Sequence, residues 1–209
     1  MRGMVNSRLI LTAIPLLLLA GCSDSPKPAE TPAAAAKPHE PVSGRRAFQY
    51  MFPTARAWAL DALPLQLTSI DVPQVKSEGG KAGAWEGIFV STVSGRSKRY
   101  TYSVIEGEGN LHQGVFAGPE EGWSGPRGSA MPFLIPSIKF DSDQAYETAL
   151  AKSKDYVAKN PTKPIVFTLE MSNRFPDLTW RVQWGDSVAT SDYSVYVDAT
   201  TGKFLDKVH

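Results

Sequence analysis

The chain has 209 residues, 42% hydrophobic and 21% charged, which suits one medium domain or two small ones and excludes both a disordered chain and a bundle of membrane spans. Its formal charge is +1; without Arg2 and Arg8 it is −1, 20 basic residues against 21 acidic ones, so nothing steers it toward nucleic acid. A single cysteine excludes a disulfide within the chain.

At the amino end, Arg2 and Arg8 precede an apolar run from Leu9 to Ala20. Twelve helical residues span roughly 18 Å, too little for a hydrocarbon core of about 30 Å, so residues 1–21 are expected to be an export signal rather than a permanent span. The run ends in Leu19, Ala20, Gly21 and Cys22, which resembles the lipobox of bacterial lipoproteins. That resemblance implies that the Cys22 thiol is lipidated and becomes the first residue of the mature chain. An otherwise unpaired thiol in an oxidising compartment agrees with it, and more than one acyl chain would make the anchor stable. Ser23 rather than aspartate follows, which by resemblance to the sorting pattern of two-membrane bacteria favours the outer membrane, facing the periplasm. Residues 22–44 recur in proline, lack large apolar groups and read as a disordered tether. His39 within it is assigned no metal role.

Beyond the tether, the pattern predicts an α+β fold of two tandem helix-plus-antiparallel-sheet units. The first unit, 45–117, is expected to open with a helix from Ala47 to about Leu63, with Phe48, Phe52, Ala55 and Ala59 along one side and Pro53 starting or kinking it. A loop holding Pro73, Gly79 and Gly80 leads to strands around Trp85–Phe89, Tyr100–Val104 and Leu111–Phe116. A glycine- and proline-rich connector, 118–140, is expected to form a surface loop from Pro119 to Ser129 and then to dock Met131–Phe140 on the body.

The second unit, 141–209, begins with Asp141 and Gln144 spaced as a capping box. They open one helix with Ala145, Tyr146, Ala149, Leu150, Ser153 and Val157 on one side, stopped at Asn160-Pro161. Ile165, Phe167, Leu169 and Met171 alternate with Val166, Thr168 and Glu170, Leu178, Trp180, Val182 and Trp184 alternate with Thr179, Arg181 and Gln183, and a third strand holds Tyr193, Val195 and Val197. Arg174 to Asp177 and Gly185-Asp186 read as turns. In the closing turn, Asp198 is expected to accept amide protons and Gly202 to take a positive φ before a last short strand. The two sheets, or their edges, are expected to pack together, because units of about 70 residues are marginal alone.

Ala145 to Ala149, Trp180-Arg-Val182 and Val197-Asp-Ala-Thr-Thr-Gly202 make this second half similar to a PepSY domain, over roughly Phe140 to Val208. The tandem arrangement also resembles the β-lactamase inhibitor proteins, in which two helix-plus-sheet repeats present a concave binding surface. The first half lacks the closing Asp-Ala-x-Thr-Gly motif. The resemblance implies export and inhibition or regulation of a peptidase, and supplies no catalytic residues.

Chemistry fares poorly in the sequence. His112 is the only histidine inside the expected fold apart from the terminal His209, and no serine lies in a nucleophile context. No two histidines or cysteines come close enough in sequence for a metal site, and Glu106, Glu108, Glu120 and Glu121 match no calcium loop. The expectation is therefore a non-enzyme, without cofactor or metal, that binds a protein partner. Trp123, in a glycine-rich loop, and Arg127 are the candidate contact residues, with Arg181 and Tyr196 extending them across an open sheet face. Alternatives are a structural or assembly accessory of the envelope, or binding of a small apolar or peptide ligand between the two units.

Overall fold

The structure, a computed structural model, describes residues 39–109, 111–126, 130–185 and 192–208. The expected signal, Cys22, most of the tether, Arg127 and Asp186 lie outside the described residues, which belong to one compact unit, 37–209.

The fold is α+β. Helix α1 (Gly44–Trp58) is followed by strands β1 (Leu63–Ile70), β2 (Ala84–Ser91), β3 (Arg96–Ser103) and β4 (Gly114–Gly122). A 3-10 turn at Ile135–Ser137 precedes helices α2 (Ser142–Lys152) and α3 (Lys154–Lys159), and then β5 (Ile165–Glu170), β6 (Thr179–Trp184), β7 (Tyr193–Asp198) and β8 (Phe204–Val208). All eight strands form a single antiparallel sheet in the order β4-β3-β2-β1-β5-β6-β7-β8. The two sheets, or their edges, were expected to pack together; there is one sheet, in which β1 and β5, the edge strands of the two halves, pair directly, with Gln66 opposite Glu170, Leu67 opposite Leu169 and Thr68 opposite Thr168. The pairing closes two strand edges that separate sheets would leave open.

Several element boundaries differ from the sequence expectation, each for a local reason. Helix α1 stops at Trp58 because Ala59 is extended and Ala62 N–H turns back to the Ala59 carbonyl, which frees Leu63 to start β1. Pro53 sits inside α1 without ending it. The expected surface loop after Pro119 is strand as far as Gly122, because β4 pairs with β3 up to Arg96 opposite Gly122. Its register shifts between Lys98 and Tyr100, so Gly118 and Pro119 fall at a bulge on an edge strand, where both residue types are tolerated. The single helix expected over 141–160 is broken at Ser153, whose N–H bonds the Leu150 carbonyl in a tightened turn.

The helices cover one face of the sheet. Phe48 meets Phe89 and Phe133 edge to face at 5.7 and 5.9 Å, and Met51 lies against Gly87, where a Cβ would come within 3.1 Å of its methyl. Under α2 and α3, Ala145 and Ala149 allow close approach, while Tyr156 lies parallel to Tyr193 at 4.3 Å and meets Trp184 edge-on. Leu67, Trp85, Phe167, Leu169, Trp180, Val182 and Trp184 join these contacts into one core. Each such side chain contributes about 1.5–3 kcal/mol by leaving water. Both helix starts are tied to the sheet in the same way: Trp85 Nε1–H donates to the Val42 carbonyl at 2.9 Å, and Trp180 Nε1–H to the Phe140 carbonyl at 3.0 Å.

The helix starts also meet each other. Asp141 caps α2 in a capping box with Gln144, and its Oδ1 also accepts from Arg45 N–H of α1 at 2.8 Å. Gly44 N–H donates to Ser142 Oγ at 2.9 Å. The α1 cap residue Ser43 makes no side-chain cap bond of its own, so residues of the second half satisfy the first helix.

Candidate functional site

Strand alternation sends every second side chain to the face away from the helices. A single register line crosses all eight strands on that face: Phe116, Thr101, Glu86, Thr68, Thr168, Arg181, Tyr196 and Asp206. Arg181 and Tyr196 are direct cross-strand neighbours, with the Arg181 guanidinium 5.8 Å from the ring centre. Arg181 Nε–H also donates to Ser194 Oγ at 3.1 Å.

The segment between β5 and β6 folds over the same place. Its Arg174 guanidinium lies 4.7 Å from the Tyr196 ring centre and 5.2 Å from that of Phe175, and the two rings are 4.8 Å apart. Arg174 Nη2–H donates to Asp206 Oδ2 at 2.7 Å, and this guanidinium holds the Asp206 carboxyl below the usual carboxylate range. Gln66 Nε2–H donates to Glu170 Oε2 at 2.7 Å on the other flank. Together Glu170, Arg174, Phe175, Thr179, Arg181 and Tyr196 line a cleft of about 250 Å³. Aromatic rings and guanidinium groups at a half-exposed cleft suit recognition of a polar partner surface, since they bring large contact area and fixed donors at small entropic cost.

Arg181 and Tyr196 are thus brought together, while Trp123 is not part of this cluster. Trp123 follows β4 at the opposite edge of the sheet, half-buried, with its backbone N–H donating to the Gly95 carbonyl at 2.8 Å. Its backbone sits beside the β2–β3 turn. Arg174 and Phe175 were read from sequence only as turn residues. The available signal was an Arg-Phe pair in a short link between strands whose outward positions hold Arg181 and Tyr196.

Asp198 and Gly202 shape the turn into β8. Asp198 Oδ1 accepts from Thr200 N–H at 2.7 Å and Thr201 N–H at 3.0 Å, and Gly202, at φ +71°, donates to the Asp198 carbonyl. A Cβ at Gly202 would also strike the Phe140 ring at 2.5 Å. Elsewhere, His112 Nδ1 lies 2.7 Å from Glu106 Oε1 on an exposed loop, with its ring against Phe116. The Gln113 N–H and His112 together hold the Glu106 carboxyl low.

Two further clefts differ in chemistry. One of about 410 Å³ is almost wholly apolar and lies between α1 and the connector, lined by Phe52, Pro53, Leu63, Phe133, Leu134 and Pro136. The other, about 620 Å³, lies between the β1–β2 loop of the first half and Tyr146, Ile165 and Phe167 of the second. Among the described residues no helix is long and apolar enough to cross a membrane. Compared with known proteins, the chain matches no family model, no curated protein and no solved structure.

Proposed function

We propose that the chain is a bacterial envelope lipoprotein, anchored through Cys22 to the periplasmic face of the outer membrane, whose folded unit is a non-catalytic protein-binding module that inhibits or regulates a peptidase. The observation that carries this reading is the meeting of Arg181 and Tyr196 with Arg174 and Phe175 on the helix-free sheet face. Such a half-exposed cleft, with aromatic and arginine side chains pre-placed, has the composition from which interface hot spots are drawn. Further support comes from the internal likeness of the halves. Each is a helical segment followed by four strands, and Trp85 and Trp180 make the same bond to the residue before their helix cap. This favours a duplicated unit, PepSY-like in its second copy and laid out as in the β-lactamase inhibitor proteins. The only His–carboxylate pair among the described residues, His112 with Glu106, stands on an exposed loop, an arrangement more in keeping with loop conformation than with catalysis.

The test uses the full chain in a two-membrane bacterium with a photocrosslinking residue in place of Tyr196, and a control at exposed Ala57 on α1. A peptidase crosslinked from Tyr196 but not from Ala57, and slowed by the purified chain, is the expected result. Crosslinks only to envelope assembly proteins would favour a structural accessory. Mass spectrometry of the mature chain is expected to begin at an acylated Cys22; residues 1–21 still attached would remove the anchor from the reading.

A second reading, binding of a small apolar or peptide ligand, is favoured by the 620 Å³ cleft that both halves line. A ligand retained through purification and lost on Tyr146→Trp would mark it.

A further inference from the structure

We infer that the cleft around Tyr196 recognises a carboxylate on the partner, an acidic side chain presented by a protein loop, and that Asp206 occupies the carboxylate position in the free protein. The inference rests on the protein-binding reading above and specifies its chemistry.

The Arg174 guanidinium lines the cleft beside Tyr196. A flexible arginine on a surface loses rotamer freedom when it engages a partner. Here the loss is already taken, because the guanidinium is held against Tyr196 at 4.7 Å and Phe175 at 5.2 Å. A guanidinium over aromatic rings keeps N–H groups for a carboxylate, and here Nη2–H donates to one. Arg181 brings a second guanidinium to the same ring. The carboxylate now on Arg174 is that of Asp206, with Oδ2 at 2.7 Å. Both members of the pair are about half exposed. An ion pair so open to water holds its partner by a factor of no more than about five, so an incoming carboxylate that also buries the Tyr196 ring displaces it readily. Glu170, on the opposite flank, is engaged by Gln66, and the half-exposed Arg174–Asp206 pair is where an incoming carboxylate can exchange.

This arrangement yields an unusual sign. Removing an acidic side chain from a surface normally has little effect on partner affinity or lowers it by losing a contact. Removing Asp206 here takes away the internal competitor and strengthens binding of an acidic segment.

The test is a fluorescence titration of the full-length, detergent-solubilised chain with a labelled peptide of alternating glutamate and glycine, beside its glutamine counterpart. The glutamate peptide is expected to bind tighter than the glutamine peptide, with affinity falling as salt rises. Asp206→Asn is expected to tighten the glutamate peptide by up to about fivefold. Arg174→Ala is expected to weaken it by tenfold or more, and Arg174→Lys by an intermediate factor, because lysine keeps the charge but not the stacked fork. Thermal melting of each variant separates these effects from misfolding: a loss of affinity counts only where the melting temperature is kept, and Asp206→Asn reads as a gain that misfolding does not produce. Equal binding of the two peptides, or Asp206→Asn that leaves the glutamate peptide unchanged or weaker, would overturn the inference. The two readings also fail separately. A partner crosslinked from Tyr196 together with charge-blind peptide binding sinks only the carboxylate; selective peptide binding with no crosslinked protein sinks only the protein partner.

Discussion

Trp85 and Trp180 stand edge to face at the centre of the molecule, ring centres 6.3 Å apart, each donating its indole N–H to the carbonyl just before the cap residue of one helix. The pair ties both helix starts to the middle of the sheet, where its halves join between β2 and β6, at β1 and β5. Replacing either tryptophan by phenylalanine keeps most of the ring but removes the indole donor, although the Val42 carbonyl still accepts from Ala82 N–H at 3.0 Å. Trp85→Phe and Trp180→Phe are each expected to cost about 1–3 kcal/mol, and the double variant is expected to depart from the sum because the rings touch. Urea unfolding with a shared slope checks both.

Gly44 is required by this tryptophan pair. A Cβ there would stand 2.5 Å from Trp180 Cη2 and 3.0 Å from Leu67 Cδ2. Neither ring nor leucine has room to retreat inside the core, so Gly44→Ala is expected to destabilise by about 1–3 kcal/mol. Gly122→Ala, where nothing lies within 4 Å and no positive φ is needed, is expected to change stability by less than about 0.5 kcal/mol. Equal losses at both positions would contradict the packing argument.

Asp141 serves two helices at once, so its removal is expected to be worse than loss of an ordinary cap. Asp141→Ala leaves both Ser142 N–H and Arg45 N–H without their side-chain acceptor and is expected to cost about 2–4 kcal/mol. Asp141→Asn keeps an acceptor oxygen and is expected to lose about 1 kcal/mol. Hydrogen exchange at the start of α1, far away in sequence, is expected to accelerate along with that of α2.

Burial, helped by the charge of Glu120, pushes the Tyr100 phenol up to about 12. The folded form therefore keeps its proton where the unfolded chain, with an ordinary value of 10.0, gives it up. The stabilising contribution is whole below pH 10 and is lost as pH rises through 12. Tyr100→Phe is expected to flatten the decline in stability across that window. Ultraviolet titration is expected to show Tyr100 ionising after the exposed tyrosines, a late step that Tyr100→Phe removes.

Much of the second half was legible because its signals are local. Asp141 and Gln144 sit three apart, and Trp180, Val182 and Trp184 alternate without interruption. The first half hid its first strand because Leu63-Pro-Leu-Gln-Leu continues the apolar spacing of α1, and only pairing with β2 and β5 decides in favour of extended backbone. The strand end at Gly118–Gly122 was hidden by glycine and proline, which an edge strand with a bulge accepts. At the site, Arg181 and Tyr196 could be placed on one face by alternation alone. Their stack with Arg174 and Phe175 depends on how a turn folds back over the sheet, which no periodicity encodes.

The positions of Trp123 and Tyr196 separate two candidate contact residues that the sequence reading had joined. Five strands lie between β4, which leads into Trp123, and β7, which carries Tyr196, so one small epitope cannot engage both. Tyr196→Ala removes the ring against which both Arg174 and Arg181 are placed, and is expected to weaken the crosslinked partner by tenfold or more, about 1.4 kcal/mol. Trp123→Ala is expected to leave affinity within about twofold, because Trp123 lies far across the sheet from the Tyr196 cleft and alanine keeps its backbone bond to Gly95. Competition binding of the two variants against the parent chain reads the difference directly. The opposite ranking, with Trp123 dominant, would move the partner to the β4 edge and leave the helix-free face without its role.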